Sequence, residues 1–186
     1  RGHSPPIGLF FLKLKAMAYT NVNVISSCKY LFIKGNSYTG ANEATLKIKP
    51  LHAQGSTEVY TLIYSQNGAG QIMINIPDLP FSGGVYEIDI IENATSVAKK
   101  LVMIHCDIDC CLVKLTNELL DCECDCAKCA SSLAKAEKIY LLLHSANTAI
   151  ELFNNANTSN SGYALDAANK YKKAKELCDA SCGCNC

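Results

Sequence analysis

The chain has 186 residues, enough for one domain or two small ones, and a formal net charge of zero from 17 basic and 17 acidic residues. Charged residues are only 18% and hydrophobic residues 49%, so there is little field to steer a polyanion, and no Lys/Arg run forms a phosphate-binding stripe. No apolar run approaches the roughly 20 residues that cross a bilayer. Neither nucleic-acid binding nor a membrane span is expected.

Residues 1–18 form an N-terminal segment that reads as a strand or a leader. Ile7-Gly8-Leu9-Phe10-Phe11-Leu12 is a short apolar run, and Ala16-Met17-Ala18 resembles a signal-peptidase site. Lys13 and Lys15 interrupt that reading, and Met17 reads as a translation start. The alternating stretch 11–15, blocked upstream by Ser4-Pro5-Pro6, has the pattern of a strand that adds to its own sheet or to that of a neighbouring copy.

Residues 19–105 have period two, broken by turn residues every eight to twelve positions. Candidate strands are 21–26, 29–34, 44–49, 58–64, 71–76, 85–91 and 98–105. Ile72, Ile74 and Ile76 share one face, and Tyr86, Ile88 and Ile90 alternate with Glu87 and Asp89. Asn67-Gly68 is the sharpest hairpin signal, because both central residues of the favoured turn need positive φ. About seven such strands predict an antiparallel, immunoglobulin-like β-sandwich without the Cys…Trp…Cys signature, since Trp is absent.

Residues 106–186 change to period 3.6 and read as a Cys-rich helical module, giving an α+β chain. Asp107 or Asp109 can cap a helix reaching Leu120, with Leu112, Leu115 and Leu119 on one stripe. A second helix spans about 127–153, with Leu133, Ala136, Ile139, Tyr140, Leu143, Ala146, Ile150 and Phe153 at helical spacing as its apolar positions. A third spans about 163–180, with Ala164, Ala167, Ala168, Tyr171, Ala174 and Cys178 on one face. The two long helices are expected as an antiparallel hairpin, with the polar stretch 154–162 between them.

Eleven of the twelve cysteines fall in this module. Cys106, Cys110 and Cys111 open the first helix. Antiparallel packing brings Cys122, Cys124, Cys126 and Cys129 to the same end as Cys178, Cys182, Cys184 and Cys186, while the first cluster sits about 20 Å away at 1.5 Å per residue. Three chemistries are open to those eight cysteines. Disulfides tying the hairpin end come first. A structural zinc site on Cys122, Cys124, Cys126, Cys129, Cys178, Cys182, Cys184 and Cys186 is the alternative, although the paired CxxC…CxxC spacing is missing. Reactive thiols come last, for want of a βαβ unit around them.

The other residue types give no catalytic constellation. His3, His52, His105 and His144 are scattered, His105 beside Cys106 being the one with metal-ligand potential. Asp121, Glu123 and Asp125 alternate with cysteines as the solvated side of a turn. Asn93-Ala94-Thr95 and Asn157-Thr158-Ser159 match the glycosylation sequon, which matters only in a eukaryotic secretory setting. No cofactor is implied apart from the zinc alternative.

The run Leu119-Leu120-Asp121-Cys122-Glu123-Cys124-Asp125-Cys126-Ala127-Lys128-Cys129, then Ala136-Glu137-Lys138-Ile139-Tyr140, then Tyr171-Lys172-Lys173-Ala174-Lys175-Glu176-Leu177-Cys178 and a Cys-Gly-Cys tail, resembles cysteine-rich proteins of tailed bacteriophages from aquatic settings. The β-region resembles small β-sandwich modules of phage tail and fibre proteins. The resemblance covers about 100–186 and implies a non-enzymatic structural role in a virion, with copies of itself and other structural proteins as partners; no functional residues carry over. An extracellular filament subunit assembling by strand exchange and a metal-stabilised helical adaptor are the other readings.

Overall fold

The computed structural model describes residues 23–26, 30–34, 43–51, 60–65, 71–75, 83–121, 126–156 and 161–182. The N-terminal segment 1–18 lies outside the described residues, as does the Asn67-Gly68 turn. In chain order the strands are β1 Asn23–Ser26, β2 Tyr30–Lys34, β3 Glu43–Pro50, β4 Tyr60–Ser65, β5 Gln71–Asn75, β6 Gly84–Glu92 and β7 Thr95–Ile104. The helices are α1 Cys106–Leu120, α2 Cys126–Asn155 and α3 Ser161–Cys182.

Period-two patterning puts alternate side chains on opposite sheet faces. On β3, Leu46, Ile48 and Pro50 are buried while Lys47 and Lys49 are exposed. The strands make a three-stranded sheet in the order β1-β2-β5 and a four-stranded sheet in the order β4-β3-β6-β7, all neighbours antiparallel. The register pairs Leu46 with Ile90 and Ile48 with Ile88, so apolar residues meet across β3 and β6. β6 and β7 are joined by the two-residue turn Asn93-Ala94, both with positive φ (48° and 62°), and the register shifts at Ile90/Ile91 with Val97 as the extra residue.

One face of the four-stranded sheet is covered by the helices. Val85, Leu101 and Met103 share a core with Ile108 and Leu115 of α1, Ile139, Leu143 and Phe153 of α2, and Ala167, Tyr171 and Ala174 of α3. The alanine face of α3 allows its backbone close to α2. Each fully buried Ile or Leu here contributes roughly 1.5–3 kcal/mol relative to exposure. The sheet's other face is buried as well, through Leu46, Ile48, Ile88 and Ile90.

The α+β class holds, with the helices at the C-terminus, but the immunoglobulin-like β-sandwich of about seven strands does not describe this fold. One sheet has only three antiparallel strands, and the four-stranded sheet shares its core with three helices. Alternation along a strand says that one face is buried; it does not say by what. The helical part is correspondingly more than a hairpin, because α1 packs into the core of α2 and α3. β4 and β5, flanking Asn67-Gly68, lie in different sheets instead of pairing: β4 pairs with β3 and β5 with β2.

The outer edge of β7 is closed by side chains. Leu101 donates its backbone N–H to Asn154 Oδ1 at 2.7 Å, and Asn154 Nδ2 donates to the Leu101 carbonyl at 3.0 Å. Ser26 Oγ of β1 donates to the Met103 carbonyl at 2.6 Å, two residues along the same edge. A strand edge left with unpaired groups would invite another strand; at these positions the end of α2 and β1 occupy it.

Candidate functional site

The cysteines were the residues with the strongest chemical signal, and the structure separates them. Cys106 and Cys110 on the first turns of α1, and Cys129 on the first turn of α2, are disulfide-bonded. Cys111 and Cys178 are buried thiols in the helical core, and the Cys111 thiol donates to the Cys178 carbonyl at 3.7 Å. Cys178 thus points into apolar packing instead of into a cluster at the hairpin end. Cys122, Cys124, Cys184 and Cys186 lie outside the described residues, and Cys126 and Cys182 are placed only as the first residue of α2 and the last of α3. Among the described residues no group of three or more His, Cys, Asp or Glu side chains has the arrangement of a metal site.

The densest polar cluster joins α1, α3 and the entry to β6. Tyr171 Oη donates to Asp107 Oδ1 at 2.9 Å, and Lys175 Nζ lies 3.6 Å from Asp107 Oδ2 and 2.6 Å from Asp179 Oδ1. Burial, then the Asp107 charge and hydrogen bond, push the Tyr171 phenol far above its usual range. The Asp179 hydrogen bond raises the Lys175 ammonium, against a smaller opposing effect of burial. Gly83 completes the cluster: a Cβ there would run into the Asp107 carboxylate and the Tyr171 hydroxyl. A phenol held protonated and spent on a carboxylate ties α3 to α1, with no proton to exchange near neutral pH.

A cleft of about 240 Å³ opens between β1, β7 and α2, lined by Ser26, Leu101, Val102, Met103, His105, Asn147 and Ile150. It contains a serine and a histidine, and His105 Nδ1 lies 2.8 Å from Asp109 Oδ1. Nucleophilic catalysis needs the serine hydroxyl to donate to the histidine, yet Ser26 Oγ donates to the Met103 carbonyl and Asn147 Nδ2 to Glu151 Oε1 at 3.0 Å. The polar groups named here are engaged in holding the fold together.

What the helical layer turns outward is unusual for its composition. Of the large hydrophobic side chains exposed among the described residues, only Tyr30 is on a strand; the others are Val113 and Leu120 on α1, Leu133, Tyr140, Leu141 and Leu152 on α2, and Leu165 on α3. The Tyr140 and His144 rings stack one turn apart, with centroids 6.2 Å apart and planes 7° from parallel. This outward face was missed in the sequence, where Tyr140 counts with the helix core. Its signal is the face of α2 opposite the Ile139–Leu143–Ala146–Ile150 stripe, where Leu133, Tyr140, Leu141 and Leu152 are interspersed with Glu137, His144, Thr148 and Glu151. No described helix is long and apolar enough to cross a membrane. Comparison with known family models and with curated proteins finds no match.

Proposed function

We propose that this protein is a non-enzymatic structural subunit that assembles with copies of itself, a component of a tailed-bacteriophage particle. The observation that carries the reading is the outward face of the helical layer, where α2 alone exposes Leu133, Tyr140, Leu141 and Leu152 at 48–61%. Tyr140 and Leu141 adjoin at the centre of that face, and contiguous exposed apolar surface marks contact sites where single exposed residues do not. The zero net charge opposes close packing of copies only weakly.

Two further features support it. The disulfide-bonded Cys106, Cys110 and Cys129 sit at the starts of α1 and α2, where bridges stiffen the helical layer against exchange with the unfolded chain, typically by 2–4 kcal/mol each. The polar clusters among the described residues are structural ties. The placement in a phage particle rests on the resemblance of residues 119–129, 136–140 and 171–178 to virion proteins.

Negative-stain electron microscopy of the full-length protein tests the proposal. Regular oligomers or filaments of uniform width are expected. A field of dispersed single copies at every concentration would remove it.

A further inference from the structure

Resting on that reading, we propose that the contact between copies is made by α2 against α2 of a second copy, antiparallel and related by a two-fold axis passing between Tyr140 and Leu141. Residues 133, 137, 140, 141, 144, 148, 151 and 152 follow one another at three- and four-residue steps, so they form one continuous stripe. All eight are exposed. The stripe is opposite the buried face of Ile139, Leu143, Ala146 and Ile150, so α2 can keep its own core while it contacts a partner.

Self-complementarity identifies the occupant. The stripe contains no Lys or Arg, and its central charged or titratable groups are Glu137 and His144. These lie equally far on either side of the 140/141 midpoint, so an antiparallel copy crossing there sets Glu137 of each chain beside His144 of the other. A two-fold contact requires this property: residue i meets residue j, and j meets i. A parallel copy in register would instead set Glu137 against Glu137.

The central contact is apolar and aromatic. The Tyr140 ring lies parallel to that of His144 one turn along, and Leu141 of each copy fills the space beside the partner's Tyr140. Stacked rings lose little rotamer freedom on binding, which favours aromatic anchors at such centres. From Leu133 to Leu152 the stripe is roughly 28 Å long at 1.5 Å per residue. One helix face of that length gives a pair below the roughly 1,200 Å² total of standard interfaces, in the weak and reversible class.

Sedimentation velocity on the full chain over a wide concentration range tests this with four variants. Wild type should self-associate. Leu141→Glu should sediment as a monomer with an unchanged circular-dichroism spectrum, and Val113→Glu, exposed on α1, should associate as wild type does. His144→Glu sets acid against acid across the axis and should weaken association roughly tenfold or more. Glu137→His combined with His144→Glu exchanges the pair and should restore association. Association that survives Leu141→Glu, or that the exchange does not restore, overturns the α2 contact and leaves the assembly reading standing. A wild type monomeric at every concentration overturns both.

Discussion

Asn154 ties the end of α2 to the outer edge of β7 through both polar atoms of its side chain. Its amide holds both backbone groups of Leu101 on the outer edge of β7, at 2.7 and 3.0 Å, from a position fifty-three residues along the chain. Asn154→Ala deletes both bonds and leaves an edge N–H and C=O facing a half-buried site. Orphaning a buried backbone group costs about 1–3 kcal/mol, and water reaching part of this site puts each of the two near the low end, so the expected loss is about 2 kcal/mol. For a chain of this length that is a fall in Tm of about 4–8 °C. Asn154→Asp keeps an acceptor for the Leu101 N–H but turns its second oxygen toward the Leu101 carbonyl, so it should lose stability too. Asn155→Ala, on the exposed neighbour, should stay within about 0.5 kcal/mol of wild type. Urea unfolding with an unchanged m-value is the assay. An Asn154→Ala protein within about 0.5 kcal/mol of wild type would refute the claim that this amide closes the sheet edge.

Gly83→Ala should destabilise by roughly 1–3 kcal/mol in the same assay, because the added methyl meets Asp107 and Tyr171, which are fixed by their mutual hydrogen bond; an unchanged midpoint would show that the cluster yields. Ala94→Gly should raise stability by about 0.5–1 kcal/mol, since Ala94 has φ 62° and glycine adopts that conformation without the L-residue penalty; a lower Tm would contradict this. The Tyr171 phenol titrates above its unfolded-state value, so the native chain retains a proton that the unfolded chain releases above pH about 10. Its stabilisation is complete below that pH and should fall by about 1.4 kcal/mol per pH unit as pH rises further. Tyr171→Phe should lose this part of the alkaline slope, and a slope identical to wild type would count against it.

Helix positions were the most legible part of the chain. The 3.6-residue spacing of Leu112, Leu115 and Leu119, of Ile139 and Leu143, and of Ala164 and Ala168 places the three helices within a few residues of their observed ends, because an amphipathic stripe is a property of the segment itself. Strand positions were legible for the same reason. Strand partners were not: Asn67-Gly68 signals a local turn conformation, while the division into sheets depends on which faces the distant helices cover. The observed two-residue turn, Asn93-Ala94, has alanine where glycine is the usual signal, and the packing of β6 on β7 holds it in place. Among the cysteines, spacing along the chain puts Cys178 with the hairpin-end cluster, but its helical phase, shared with Ala167, Tyr171 and Ala174, turns it into the core beside Cys111. The outward stripe of α2 was hidden because helical spacing groups Leu133 and Tyr140 with Ile139, Leu143 and Ile150, whereas the structure leaves both exposed.

The central claim is that the protein works as a self-assembling structural subunit, and the mass of the native species is its most direct measure. Light scattering coupled to size exclusion, on the full chain at increasing concentration, should show discrete multiples of the 20.1 kDa chain growing at the expense of the single copy. A mass of one chain throughout the concentration series would contradict it.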